Sequence, residues 1–323
     1  MQTSRGIRCT FGLIAGLLAA GAWAADDDGL PPAYSVSPQL VLMTNHYTEG
    51  AVFDAQGNFY FSETHEGLVT QISPVGIVKV WATVPGANGH RVLRDGTHVL
   101  AARRSVALLN PQGEVIRTFD HFEGTKFIYP NDMATDSSGG WYLTDSGTGD
   151  NRSTDGALYY VTAQGEVSQP DKGMAFPNGI AMSPDGAHLY VDEGNLDRNH
   201  VLVYDVAGPG ALRNKRELAV LPHKTDVDYG AGQIENKPDG MCIDTRGRLY
   251  VSHWGMGRIE VLSPGGELLR SYSTGHVAQS NCAFGGPHHD QLMLTGAPIL
   301  ESGPGSVTRL DLGVQGVDLL GGQ

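Results

Sequence analysis

Six short polar side chains recur along this chain, each at the head of a segment with strand character: Glu49, Asn88, Asn131, Asn178, Asp239 and Asn281. The openings read Glu49-Gly50-Ala51-Val52, Asn88-Gly89-His90-Arg91, Asn131-Asp132-Met133-Ala134, Asn178-Gly179-Ile180-Ala181, Asp239-Gly240-Met241-Cys242 and Asn281-Cys282-Ala283-Phe284. Gathered in one place, two carboxylates and four amides offer hard oxygen acceptors and amide donors. Glu49, Asn178 and Asp239 would supply two negative charges and an amide oxygen, a set suited to Ca2+ or Mg2+. Zinc is disfavoured because no His or Cys stands at these three positions. Buried polar groups need partners, which a cation or ordered water can provide. On spacing alone a metal site and a water-lined channel stand as equal alternatives.

The elements that would position these residues follow from their spacing. Successive ring candidates lie 39, 43, 47, 61 and 42 residues apart. A repeat of roughly 40–50 residues with several short strands in each is the mark of a β-propeller. The fifth repeat shows it most plainly, with strand-like Met241-Cys242-Ile243, Leu249-Tyr250-Val251-Ser252, Arg258-Ile259-Glu260-Val261-Leu262 and Leu268-Leu269-Arg270-Ser271-Tyr272 between Gly, Pro, Asp and Ser turns. The expected fold is all-β, a six-bladed β-propeller over residues 38–323, with the six polar residues opening the innermost strands and a metal site in the central channel. Gln39-Leu40-Val41-Leu42-Met43 precedes the first repeat and is expected to close the ring as the outer strand of the sixth blade, because an open ring would leave bare strand edges.

The 323 residues include 44 glycines, and the formal net charge of −13 argues against nucleic acid and an anionic membrane surface as partners. Arg5 and Arg8, the apolar run from Phe11 to Leu18 and Ala22-Trp23-Ala24 read as a secretory signal peptide over residues 1–24. An exposed segment is expected at 25–37 and, in a bacterium, a periplasmic address. The mature chain would keep Cys242 and Cys282. They are expected as buried free thiols, since inner strands of neighbouring blades splay apart and a bridge needs close Cα atoms. Long loops at 121–127, 145–152 and 222–232 fall on the face of the ring and suggest a wall or lid around its mouth.

Five blocks carry a family resemblance. Thr48-Glu49-Gly50-Ala51-Val52-Phe53-Asp54, Pro130-Asn131-Asp132, Phe176-Pro177-Asn178-Gly179-Ile180-Ala181, Pro238-Asp239-Gly240-Met241-Cys242-Ile243-Asp244 and Asn281-Cys282-Ala283-Phe284-Gly285-Gly286 resemble, in order, the motifs of the SMP-30/gluconolactonase family of six-bladed propellers. The closing Leu312-Gly313-Val314-Gln315-Gly316-Val317 is similar as well, so the resemblance runs from about Gln39 onward. It implies a calcium-type divalent metal, with Mg2+, Mn2+ or Zn2+ as alternatives, held at Glu49, Asn178 and Asp239. Asn131 would contact substrate or metal. It further implies a small-molecule lactone as substrate and hydrolysis as the reaction. Animal aldonolactonases of the family carry an Arg two residues before the Asn of the third block, where this chain has Tyr129, so the identity of the substrate is left open.

A mechanism consistent with these residues has the metal polarise the carbonyl and Asp239 act either as proton acceptor or as ligand alone. Asn131 and Asn88 would orient the ester, and Asn281 would line the channel. His46, His90 and His253 are candidates for the mouth or for ordinary surface and core positions, and His288-His289 for a solvated turn. No Gly-x-Ser-x-Gly elbow is present. Other expectations are an ester such as an aromatic lactone or phosphotriester, or a binding protein with a structural metal. The joint presence of Glu49, Asn131, Asn178 and Asp239 favours an enzyme, expected as a monomer or weak oligomer.

Overall fold

A computed structural model describes residues 28–148, 153–195, 198–222 and 236–320. The expected leader, and the loop stretches 149–152 and 223–232, lie outside the described residues. A 3-10 turn at Ala33–Ser35 leads into β1 (Gln39–Met43). The first blade is β2 (Thr48–Phe53), β3 (Phe59–Glu63), β4 (Leu68–Ile72) and β5 (Val78–Thr83). The second is β6 (His90–Val92), β7 (His98–Ala102), β8 (Ser105–Leu109) and β9 (Val115–Phe119), followed by a small hairpin, β10 (His121–Phe122) and β11 (Thr125–Lys126). The third is β12 (Pro130–Thr135), β13 (Trp141–Asp145), β14 (Gly156–Val161) and β15 (Val167–Met174). The fourth is β16 (Pro177–Met182), β17 (His188–Asn195), β18 (Arg198–Gly208) and β19 (Ala211–Val220). The fifth is β20 (Lys237–Ile243), β21 (Leu249–Trp254), β22 (Arg258–Leu262) and β23 (Leu268–Ser273).

The sixth blade is completed by β1. Its sheet runs β24 (Ala278–Gly285), β25 (Gln291–Ala297), β26 (Ser306–Asp311), β1, with Leu42 opposite Val307 and Met43 opposite Ser306. The spare first strand therefore closes the ring as its position suggested, and the unpaired edge of β26 is covered. All six blades are four-stranded antiparallel sheets, and the first five are simple meanders.

The apolar core lies between blades. Val52, Tyr60 and Val69 of the first blade pack with Val92, Leu100 and Leu109 of the second. The same arrangement recurs at every later pair, and Ala51, Phe59 and Phe61 meet Met293 and Val307 where the sixth blade returns to the first. Inner and second strands are buried throughout, as in β13, whereas outer strands such as β5 face solvent at Val78, Lys79 and Val80. With the hydrophobic surface spent between wedge-shaped neighbours, the axis itself is free to carry polar side chains. No helix of the described residues is long and apolar enough to cross a membrane.

Two expectations need correction. The segment at 25–37 is not exposed throughout, although Tyr34 is 92% exposed. Leu30 is buried in the cluster between the fifth and sixth blades, the Tyr272 hydroxyl donates to Pro31 O at 2.7 Å, and Arg270 pairs with Asp28 at 3.2 Å. One buried leucine and charge pairing outweigh an acidic, Pro-rich composition. The cysteines are free, and Cys282 is buried while Cys242 is half-buried.

Candidate active site at the channel mouth

The six ring residues come together. Five lie near the start of their innermost strands, and Asn88 stands two residues ahead of β6, tied to β7 through its N–H to Ala101 O at 2.8 Å. All six are nearly inaccessible. A local feature recurs at the same point of five blades: the pairing of innermost and second strand shifts register beside Glu49, Asn131, Asn178, Asp239 and Asn281. An extra residue at such a bulge turns a side chain away from the sheet face, here toward the axis. Pro130, Pro177 and Pro238 immediately precede three of them; Pro130 and Pro177 start their strands and Pro238 is the second residue of its own, and none has an N–H to donate.

Glycine following the ring residue lets the blades close. A methyl group on Gly89 would overlap Asn131 O, one on Gly179 would overlap Asp239 O, and one on Gly240 would overlap the Asn281 side chain. Gly89 N also donates to Asn131 O at 2.9 Å across the blade boundary. The x-Gly dipeptides at four of the six positions are thus close contacts that draw neighbouring inner strands together.

Hydrogen bonds divide the ring. Asn88 Nδ2 donates to Asn131 Oδ1 at 3.2 Å, Asn131 Nδ2 to Ser146 Oγ at 2.9 Å, and Ser146 Oγ to Pro177 O at 2.7 Å. Asn281 Nδ2 donates to Asp132 Oδ2 at 3.4 Å and its Oδ1 accepts from Cys282 N at 2.8 Å. Glu49 accepts from Gly50 N at 3.1 Å and from the Tyr47 hydroxyl at 3.4 Å, and Asp239 accepts from Gly240 N at 3.1 Å. Asn178 Oδ1 and Asn88 Oδ1 are buried acceptors with no donor. Burial, then repulsion from Asp239, raises Glu49 well above the usual carboxylate range. Burial pushes Asp239 up to about 8 against the pull of Lys237.

These observations test the fit of a divalent cation. Two carboxylates short of counter-charge beside an orphaned amide oxygen form a donor set that a hard cation would satisfy. Among the described residues no three His, Cys, Asp or Glu side chains gather as a metal centre. The candidate set accordingly depends on amide oxygens as well as on Glu49 and Asp239.

Several residues at the site carried little signal in the sequence. Beneath the ring, Asp132 is fully buried and paired with Arg91 at 3.3 Å. Asp192 is fully buried, accepts from Gly179 N at 3.1 Å through Oδ1 and has no donor for Oδ2. Asp132 departs from the x-Gly pattern, and Asp192 interrupts an apolar strand, so both were detectable in principle. Above the ring, Asp145 accepts from Ile128 N at 2.8 Å and Tyr129 N at 2.7 Å, which holds Tyr129 at the mouth. Burial and the fields of Glu49, Glu301 and Asp239 raise the Tyr129 phenol to about 12.

The histidines fall elsewhere. His46 is a surface neighbour of Glu66 at 3.9 Å. His90 is buried against His98, with Nε2 and Nδ1 2.9 Å apart. His253 is buried against Glu260 at 3.2 Å, and His288 is exposed.

A family model described as the SMP-30/Gluconolactonase/LRE-like region matches residues 47–298. A gluconolactonase of Zymomonas mobilis is 29% identical over 277 residues, spanning 76% of this chain and 75% of its own. A diisopropyl-fluorophosphatase of Loligo vulgaris is 27% identical over 248 residues, spanning 68% of this chain and 75% of its own. Among solved structures, a gluconolactonase of Xanthomonas campestris matches the fold with a TM-score of 0.72 at 22% identity, over 87% of this chain and 91% of that one.

Proposed function

We propose that this chain, which belongs to the SMP-30/gluconolactonase/LRE-like family, is a lactone hydrolase whose active centre is the ring at the channel mouth. The carrying observation is the convergence of Glu49 and Asp239, both short of counter-charge, on the unpartnered Oδ1 of Asn178. Relatives named for lactone hydrolysis support the reaction class.

Glu49, Asn178 and Asp239 would hold a divalent cation of calcium type, with Asn131 beside it. When bound, such an ion supplies Lewis-acid polarisation of the ester carbonyl. Asp239, a buried carboxylate of the ring, takes the proton of the attacking water. Asn88 Oδ1, a free acceptor, orients a hydroxyl or water at the ester, and the Asn88–Asn131–Ser146 chain keeps both amides fixed. Burial of the ring excludes bulk water from all but its mouth. The leader-like residues 1–24 support export, which N-terminal sequencing of secreted protein beginning at Ala25 would test.

Purified protein stripped by chelator and resupplied with Ca2+, Mg2+, Mn2+ or Zn2+ should hydrolyse lactones in a pH-stat only when a cation is restored. Asp239→Asn should lower kcat by at least about a hundredfold, within the range for removal of a general base. Metal-independent turnover, or near wild-type rates in Asp239→Asn, would refute the assignment. The fluorophosphatase relative favours one second reading, a phosphorus ester as substrate of the same centre.

A further inference from the structure

The residues two positions ahead of the ring form a second tier around the mouth. In four blades Tyr47, Tyr129, Phe176 and Lys237 stand two residues ahead of Glu49, Asn131, Asn178 and Asp239. Tyr47 and Tyr129 both lie in the field of the ring carboxylates.

Phe176 adopts φ 56°, a left-handed conformation that a bulky side chain rarely takes. Its result is a cation seat. Lys237 Nζ lies 4.2 Å from the centroid of the Phe176 ring and 5.5 Å from that of Trp254. Aromatic faces hold an ammonium in place without neutralising it. None of the ion pairs among the described residues uses Lys237. The Trp254 indole N–H beside it is buried and has no acceptor. Among the described residues neither donor has a hydrogen-bond acceptor, and Lys237, the charged one, stands two residues from Asp239, whose carboxyl it pulls down.

We propose that the lactone taken by this site carries a carboxylate substituent, which Lys237 and the Trp254 N–H bind at the wall of the mouth. The inference rests on the lactonase reading for its reaction and adds the substrate class, an acidic lactone opening to a hydroxy-dicarboxylate. A carboxylate has two oxygens, enough for both donors, and an ammonium on an aromatic seat is a stronger partner for it than a hydroxyl would be. Glu301 is the opposing charge at the mouth, and its field reaches Tyr47, Tyr129 and Asp239. The acidic substituent is accordingly directed to the Phe176–Lys237–Trp254 side. Lys237 acts here as a specificity residue.

The test compares γ-carboxy-γ-butyrolactone with γ-valerolactone, which has a methyl group in place of the carboxylate, on calcium-loaded wild type, Lys237→Met and Lys237→Arg. Wild type should favour the acidic lactone by about tenfold or more in kcat/KM, chiefly through KM. Lys237→Met should erase that preference, read as the ratio of kcat/KM for the two lactones, whatever it does to turnover of both through Asp239, and Lys237→Arg should keep most of the ratio. No preference in wild type, or equal loss on both lactones in Lys237→Met, would overturn the proposal. Calorimetric titration with α-hydroxyglutarate, the ring-opened acid, reads the same seat without turnover. Binding that weakens about tenfold in Lys237→Met supports the seat even if no lactone is hydrolysed, in which case the lactonase reading alone falls. Binding unchanged by Lys237→Met overturns the seat.

Discussion

Asn178 is the residue at which the ring's chemistry can be isolated from its packing. Its Oδ1 is buried without a donor, whereas Asn131 and Asn281 already spend theirs within the protein. Leu has nearly the same shape and no acceptor, but it also removes the amide that supports the Asp239 carboxylate, so Asn178→Leu should fold with a loss of about 1–3 kcal/mol. Calcium affinity by titration calorimetry should fall by about tenfold or more, with lactone turnover falling alongside it. Unchanged affinity would remove Asn178 from the ligand set. The six ring residues were legible because each is a polar side chain heading an apolar segment at a regular spacing. Their inequality was not, since it depends on which oxygens find donors from neighbouring blades. Lys237 and Phe176 escaped for a similar reason: a cation–aromatic contact between the fourth and fifth blades joins residues 61 positions apart, as the ring members Asn178 and Asp239 also are, and leaves no local pattern.

Elements carry the ring through repeated contacts between blades, and these were only partly written in the sequence. Turn residues and apolar segments made the strands and the closing role of β1 readable. The small hairpin β10–β11 and the docking of Leu30 were not, because each depends on a few tertiary contacts around polar sequence. The x-Gly dipeptides were visible as a motif, but their purpose emerges from close approach between inner strands. Gly89 illustrates it: an added Cβ would overlap Asn131 O and lie 2.8 Å from the Asp132 Cα, with backbone on both counts. Its φ is not positive, so the penalty is steric alone. Gly89→Ala should therefore force the second and third blades apart and cost about 1–3 kcal/mol, seen as a lower Tm. The shift should also disturb the Asn88–Asn131 hydrogen bond and raise KM more than does Gly→Ala at the turn residue Gly265, where φ is not in the left-handed region and an added Cβ has room. Equal effects at the two positions would show that blade contact at Gly89 is not what sets the ring.

For the whole molecule, the division between apolar blade contacts and a polar axis sets two opposing responses to pH. Among the blade contacts, burial holds His98 and His276 at about 4 and His90 well below its usual value. Their unfolded value is about 6.5, so between roughly pH 4 and 6.5 the unfolded chain binds more protons, and stability is lost as pH falls through that window. His98 alone accounts for at most about 3 kcal/mol of this loss. At the axis the sign reverses. Glu49 and Asp239 are raised, so the folded state without a cation keeps protons that the unfolded chain releases above about pH 4, and stability is lost as pH rises toward about 8. A cation that pairs with both carboxylates removes the second response and leaves the first. The Tm gained on adding calcium should thus be near zero at pH 4 and grow steadily to pH 8, measured by calorimetry in calcium and in chelator. With calcium, Tm should rise from pH 4 to about 6.5 and then level off. In Glu49→Gln the calcium-induced gain should shrink at pH 8 while the acid limb stays as in wild type, because the histidines responsible for it lie in other contacts. A calcium effect of equal size at pH 5 and pH 8 would mean that the ring carboxylates are not its target.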